Sequence, residues 1–316
     1  MFIIRNNNIK LKEKTCIALG NFDGVHKGHR ALISECIKYA KSNNLTSCIY
    51  TFEEHTTHFL GNKKNLITTN DERIEIFDSL GCDSVYFDDF SFIKDMTPQE
   101  FCDKIIISKL NAKIVICGEN YRFGKNCSGD ASLLKALLSQ KEVKVIIMPP
   151  VIYKGEIISS TLIRDCIRNG NIELAGELLS RPYSITGEIV HGKKLGRVLG
   201  FPTLNMCVPT CKVMPEYGVY ASVTLIHGSL RRGITNIGKR PTIDNYEESP
   251  ITCETHLINY SGDDYGKTAT VFLLKFLRHE TKFNDIDDLK MGITADCNNA
   301  EIFLESYDIR LLEDTK

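Results

Sequence analysis

Two Gly-rich segments carry most of the side chains that could do chemistry. The first, GNFDGVHKGH at residues 20–29, leaves an apolar run through a turn containing Gly20, Gly24 and Gly28 and carries His26 and His29. Glycines let a backbone approach a ligand closely, and the N-terminus of a following helix offers unpaired N–H groups and partial positive charge to an anion. Two imidazoles on such a turn can donate hydrogen bonds to phosphate oxygens as charge builds on phosphorus and on a leaving pyrophosphate. That chemistry is nucleotidyl transfer without a covalent intermediate. The second segment, HGKKLGRVLGFPTLN at residues 191–205, brings Gly192, Gly196 and Gly200 ahead of Thr203 and Asn205. Its backbone N–H groups suit phosphate. The Thr203 hydroxyl and Asn205 amide oxygen suit a Mg²⁺ that keeps most of its waters while bridging ATP phosphates. Without GKS or GKT it is not a Walker A loop, and read alone it is equally a Gly-rich hairpin with Pro202 at a strand edge.

The elements around these segments fall into two textures. Between residue 15 and about 180, the runs TCIALG, TSCIYTF, DSVYF, KIVICG and VKVIIM alternate with helical patterns. Leu32, Ile33, Cys36, Ile37 and Ala40 form one stripe of a helix predicted to follow His29. Thr69 with Glu72, and Thr97 with Glu100 and Pro98, read as capped helix starts. This alternation predicts a Rossmann-like α/β domain with a parallel sheet covered on both faces. After Arg181 and Pro182, SITGEIVHG, GVYASVTLI, RRGITNIG, ITCETHLINY and TATVFLLKFL predict an antiparallel β-barrel. Ile302, Phe303 and Tyr307 mark a closing C-terminal helix over residues 299–312. The expected domains are 1–182 and 183–316, joined without a low-complexity linker.

Composition narrows the function class. A chain of 316 residues exceeds one ordinary core. With 42% hydrophobic and 25% charged residues it reads as soluble and globular. A net charge of -1 provides no global field for nucleic acid or anionic lipid, so an anionic ligand must be held by local geometry. No apolar run or N-terminal pattern suggests a membrane span or leader, and the expectation is a cytoplasmic protein acting on small molecules, with a homo-oligomer left open. The twelve cysteines are scattered through strand-like and helix-like runs and read mostly as reduced core residues.

On GNFDGVHKGH, with Phe22 and Asp23 included, the chain resembles the HxGH nucleotidyltransferases and, within them, the bacterial bifunctional riboflavin kinase/FAD synthetase family. ISSTLIR at residues 158–164 is similar to the family's second signature, which implies that Ser159, Ser160, Thr161 and Arg164 meet ATP phosphates; alone it would be a good helix start. GENYRFGKNCSGD at residues 118–130 resembles the family's loop after the fourth strand, implying a ligand contact for Asn120, with Arg122 either a ligand or an ion-pair residue. GRVLGFPTLN resembles the riboflavin kinase signature and is followed in order by PEYGVYASV, GITNIGKRPTI, CETHLI and FLRHETKF. The resemblance implies that Glu254 is the base that receives the riboflavin hydroxyl proton, and it sets Arg278 near the flavin, where a structural salt bridge is the alternative. It implies ATP as co-substrate and riboflavin, FMN and FAD as substrates and products. The chain departs from the family in TFEEHTTHF at residues 51–59, which keeps His55 but lacks the usual prolines, in SRPY for GRPY, and in Met291 for glutamine. One inactive domain, or a flavin-binding regulator without turnover, are the competing readings, with RNA binding weaker for want of a basic stripe.

Overall fold

The computed structural model describes residues 1–5, 8–54, 65–192, 196, 199–239 and 251–315. His55 and its neighbours, and Arg197 of the second Gly-rich segment, lie outside the described residues. Chain contacts separate two compact units, Met1–Ser160 and Thr161–Thr315.

The strands of the first unit are β1 Phe2–Ile4, β2 Thr15–Leu19, β3 Thr46–Phe52, β4 Ser84–Asp88, β5 Ala112–Gly118, β6 Arg122–Phe123, β7 Gly129–Asp130, β8 Lys144–Met148, β9 Ile152–Tyr153 and β10 Glu156–Ile157. Six of them form one sheet in the order β1-β4-β3-β2-β5-β8, and every pairing in it is parallel. Alternate residues of β2 enter opposite cores, because successive strand side chains point to opposite faces. Cys16 and Ala18 pack with the helices Lys27–Ser42 and Asn70–Ser79, and Ile17 and Leu19 pack with Phe101–Lys109 and Ala131–Ser139. The helices therefore change face where the chain passes from the β2-β3-β4 half of the sheet to β5 and β8. The strand order reverses between β2 and β5, which makes their carboxyl ends the place where an open α/β sheet offers a ligand crevice.

Both expected capping boxes are present, at Thr69 with Glu72 and at Thr97 with Glu100. The first helix starts earlier than its apolar stripe indicates: it begins at Lys27 with His26 as N-cap, so His29 stands in its first turn. The stripe itself is buried as expected at Leu32, Ile33, Cys36, Ile37 and Ala40. All twelve cysteines are free, eight of them buried.

In the second unit, the helices Ser160–Arg168 and Ile172–Leu179 precede β11 Tyr183–Val190, β12 Thr203–Met206, β13 Gly218–Ile226, β14 Ser229–Lys239, β15 Ile251–Leu257 and β16 Thr268–His279. The six strands close into a barrel in the order β11-β12-β15-β14-β13-β16, and every pairing is antiparallel. The expected join near residue 182 falls between the helix Ile172–Leu179 and β11, while both helices group with the barrel. Inside the barrel, Thr235 hydrogen-bonds to Ser222 and Thr255, each at 2.8 Å, which satisfies three buried hydroxyls at once. Outside, Val219, Ala221 and Val223 of β13 meet Ala300 and Leu304 of the C-terminal helix. That helix runs Ile286–Glu305, capped by Asp285, and so starts well before the expected 299–312. Ile302 of the expected stripe is 71% exposed, and Asp296, Ala300 and Leu304, spaced by four, are the buried positions.

Candidate functional site

The first candidate site is the connection between β2 and the helix Lys27–Ser42. Phe22 and Val25 hold positive φ values of 52° and 41°, and Gly24 one of 84°. A left-handed backbone at Phe22 and at Val25 costs about 1–3 kcal/mol each, so surrounding bonds must over-determine the turn. They do. The buried Asp23 carboxylate accepts from Ile67 N–H at 2.9 Å and Thr68 N–H at 3.2 Å, and Gly24 N–H donates to Thr68 Oγ1 at 2.9 Å. The Ser160 hydroxyl donates to the Asp23 carbonyl at 2.9 Å. From the helix Asn70–Ser79, the Arg73 guanidinium reaches under the turn. It donates to the carbonyls of Asn21 and Phe52, each at 2.8 Å, to Thr51 Oγ1 at 3.1 Å, and to Asn70 Oδ1. Asn21 follows β2 and Phe52 ends β3, so one planar fork ties together two adjacent strand ends.

On this base the two imidazoles stack, with ring centroids 3.7 Å apart and planes 18° apart. His26 Nδ1 accepts from the His29 backbone N–H at 3.3 Å, so in the neutral ring the proton sits on Nε2. Phe22 closes the other side of His29 edge-on at 5.3 Å. Burial, followed by the charges of His26 and Arg73, holds the His29 pKa well below 6.5. Its buried Nδ1 has no hydrogen-bond partner among the described residues. Gly20 lies at the end of β2, its N–H donating to Tyr50 O at 3.3 Å. Asn120 is exposed on the turn after β5, across the strand-order reversal from the His-bearing turn. Ser159 is part-buried at the end of this unit. Thr161, exposed, and Arg164, buried, continue the helix Ser160–Arg168 in the second unit. Arg122 donates to the Tyr121 carbonyl at 3.2 Å.

The second candidate site lies on the outer face of the barrel. Strand register sets Asn205 opposite Glu254, Glu254 opposite Asn236, Asn236 opposite Val219, and Val219 opposite Arg278. Thr203 stands two residues before Asn205, on the same face of β12, opposite His256. A cavity of about 310 Å³ opens over this row, with Thr203, Asn236, Glu254, His256 and Arg278 among polar groups and Leu199, Val219, Ile234, Phe283, Leu289 and Ile293 supplying apolar walls. Arg278 forms a two-pronged pair with the buried Asp296 carboxylate at 2.8 and 2.7 Å. The salt-bridge alternative for Arg278 is thus realised, on a residue that also lines the cavity. A second cavity, about 350 Å³, lies beyond Thr203 and is lined by Gly192, Asn205, Leu257, Tyr260, Asp264 and Tyr265. Thr203 borders both.

Asn205 Oδ1 is buried and has no hydrogen-bond partner among the described residues, while its amide nitrogen lies 3.4 Å from Thr203 Oγ1. Gly192 passes so close that a Cβ there would run into the Asn205 amide. An unpartnered buried amide oxygen and a hydroxyl, on two residues that line one cavity, are hard-oxygen donors that fit a magnesium ion. Gly196 lines the first cavity, whereas Gly200 is exposed, with φ at 88°, and lines neither. Arg73, Asn236 and Asp296 went unread in the sequence. Arg73 lies inside a helix start and Asp296 inside an acidic-looking helix, and the role of each depends on a distant partner. Asn236 is brought to the site only by the register of β14 against β15, for which the sequence carries no signal.

Comparison with known proteins supplies the family. Residues 8–162 match the model of FAD synthetase and residues 179–304 that of riboflavin kinase. The chain is 37% identical to the bifunctional riboflavin kinase/FMN adenylyltransferase of Buchnera aphidicola subsp. Schizaphis graminum, over 92% of this chain and 94% of that protein. It is 34% identical to the Bacillus subtilis protein of the same description, over 91% and 92%. A solved structure described as a macrolide-efflux protein from Streptococcus pneumoniae superposes with a TM-score of 0.87 at 32% identity, covering 98% of this chain and 100% of that one. No helix among the described residues is long and apolar enough to cross a membrane. With both family models matched in order and full-length relatives above 30% identity, the chain belongs to the bifunctional riboflavin kinase/FMN adenylyltransferase family.

Proposed function

We propose that the barrel phosphorylates riboflavin with ATP, giving FMN and ADP, and that the α/β unit transfers AMP from a second ATP to FMN, giving FAD and diphosphate. The observation that carries the kinase half is the strand register holding Glu254 beside Asn205, with Thr203 bordering two cavities. The apolar-walled cavity takes the flavin ring against Phe283 and the Arg278–Asp296 pair. The other takes the nucleotide, whose phosphates lie along Gly192 and reach past Thr203 toward Gly196 at the first cavity. Glu254 orients the terminal ribityl hydroxyl and accepts its proton as the oxygen bonds to the γ-phosphorus and the bond to ADP breaks. Thr203 and Asn205 would hold Mg²⁺, which when bound offsets phosphate charge.

In the α/β unit, the pinned turn presents His26 and His29 to the phosphates of ATP at the start of the helix Lys27–Ser42, where N–H groups add further donors. His29 stays neutral at working pH and donates one N–H, beside His26, to oxygens that gain charge as the FMN phosphate attacks the α-phosphorus and diphosphate leaves. Gly20, Phe22 and Gly24 shape this contact, Ser159 and Ser160 add hydroxyls, and Asn120 meets the flavin nucleotide from across the crevice. Both reactions use small soluble substrates, and the cytoplasm is their compartment.

The test is incubation with riboflavin, ATP and Mg²⁺ followed by chromatographic separation of flavins, for wild type, Glu254→Ala and His29→Ala. The expectation is FAD from wild type, unchanged riboflavin with Glu254→Ala, FAD from supplied FMN with that same variant, and FMN accumulation with His29→Ala. FMN as the only wild-type product would overturn the adenylylation half, and no product at all would overturn both.

A further inference from the structure

The β13–β14 hairpin turns on two residues, His227 and Gly228, both with positive φ, 49° and 71°. Such a turn is most cheaply built from Asn-Gly or Gly-Gly, so a histidine at its first position invites a reason in its side chain. His227 Nε2 lies 2.7 Å from Asp264 Oδ1. The other carboxylate oxygen accepts from the Tyr260 hydroxyl at 2.9 Å, and the Arg231 guanidinium lies over the Tyr260 ring at 5.5 Å. Asp264 is only 5% exposed, yet it and Tyr260 border the second cavity, which His227 does not.

A carboxylate on the wall of a cavity that receives a polyanion repels it, and donors that hold its oxygens ease that repulsion. Asp264 has both oxygens engaged by donors. The backbone fixes the rest of the wall: Lys267 N–H donates to the Asp264 carbonyl at 3.1 Å, Gly266 N–H donates to the carbonyl of Ile189 in β11 at 2.9 Å, and Ile189 N–H donates to the Lys267 carbonyl at 2.8 Å. Between them, Tyr265 lies against the His191 ring with centroids 3.7 Å apart. We propose that His227 is a positioning residue for nucleotide binding, acting through Asp264 to set the Tyr260–Tyr265 wall of the second cavity. This rests on the assignment of that cavity to the ATP of the kinase reaction.

The experiment measures KM for ATP, KM for riboflavin and kcat of FMN formation, together with KM for ATP in FMN adenylylation, on the full-length chain. The variants are His227→Asn, which keeps a side chain suited to the left-handed turn but falls short of Asp264, and His227→Gln, whose amide nitrogen reaches as far as Nε2. With His227→Asn the kinase KM for ATP rises about tenfold, the scale of one hydrogen bond to a charged group. The Gln variant restores it, and KM for riboflavin and the adenylylation kinetics stay at wild-type values. A parallel rise in KM for riboflavin, or an unshifted KM for ATP in His227→Asn while wild type turns over, overturns the proposal. Absence of FMN formation by wild type instead overturns the kinase reading on which it rests.

Discussion

Replacing Arg73 separates a positioning role from a merely stabilising one. The guanidinium is 5% exposed and ties the carbonyls of Asn21 and Phe52 at 2.8 Å each. Hydrogen bonds to a charged group contribute about 1.5–3 kcal/mol each, so Arg73→Met forfeits about 3–6 kcal/mol at the two strand-end carbonyls alone. Against this stands the cost of burying the cation. Burial lowers its pKa from 12.5 to about 10, with Asp23 and Glu53 pulling the other way. At 1.36 kcal/mol per pKa unit, that penalty is about 3 kcal/mol, and methionine relieves it. The net loss of stability is therefore modest, about 0–3 kcal/mol. The loss of adenylylation should be larger, because a catalytic turn displaced by about 1 Å can cost about 100-fold in rate. Arg73→Lys keeps the charge, but a single ammonium cannot span the ends of β2 and β3, so it should lose nearly as much activity. The assay is FAD formation from supplied FMN, with riboflavin phosphorylation by the same preparation as control and urea unfolding for stability. Full adenylylation by Arg73→Lys, or an equal fall in both activities, would refute the reasoning.

Three further outcomes follow from the geometry. Because His29 has its pKa lowered on folding, the unfolded chain binds the extra proton first. Its contribution to stability is therefore constant above the unfolded pKa of 6.5 and declines as pH falls below it, and urea titrations between pH 7.5 and about pH 5 should show a shallower decline in His29→Gln. Asp296→Ala strips the partner from Arg278 and should destabilise the barrel by about 3 kcal/mol, the low end for breaking a buried pair because the Arg278 side chain is 29% exposed. Riboflavin KM should rise with it, measured at saturating ATP. Gly192→Ala drives a methyl group into the Asn205 amide and should suppress FMN formation while leaving FAD formation from FMN intact. Activity unchanged in that variant would remove Asn205 from the proposed magnesium site.

What the sequence made legible were features whose physics is local. The parallel-sheet strands announced themselves as short apolar runs, and the Thr69 and Thr97 capping boxes need only residues three apart. The His-bearing turn was readable because Gly24 sits where φ is positive and a strand precedes it. The same locality explains the errors. The helix start was set by where apolar spacing begins, but the helix is nucleated upstream by His26, whose side chain caps it. Ile302 fitted an apolar spacing, yet the face of the C-terminal helix that turns inward is chosen by Ala300 and Leu304 against β13 and by Asp296 meeting Arg278.

The features that stayed illegible are those made by closure. Glu254, Asn205 and Asn236 lie 18 to 49 residues apart and become neighbours only once β12, β14 and β15 take their register in the barrel. A one-residue slip of β15 would turn Glu254 inward and Cys253 and Thr255 outward. The barrel interior forbids that slip. Thr255 finds its hydroxyl partner in Thr235 at 2.8 Å, and Cys253 is fully buried, so an inward Glu254 would strand a carboxylate in their place. The buried hydroxyl network inside the barrel thus fixes which face of β15 carries the carboxylate, and it does so without touching either cavity. Core polar residues that take no part in catalysis hold the register on which the proposed base depends.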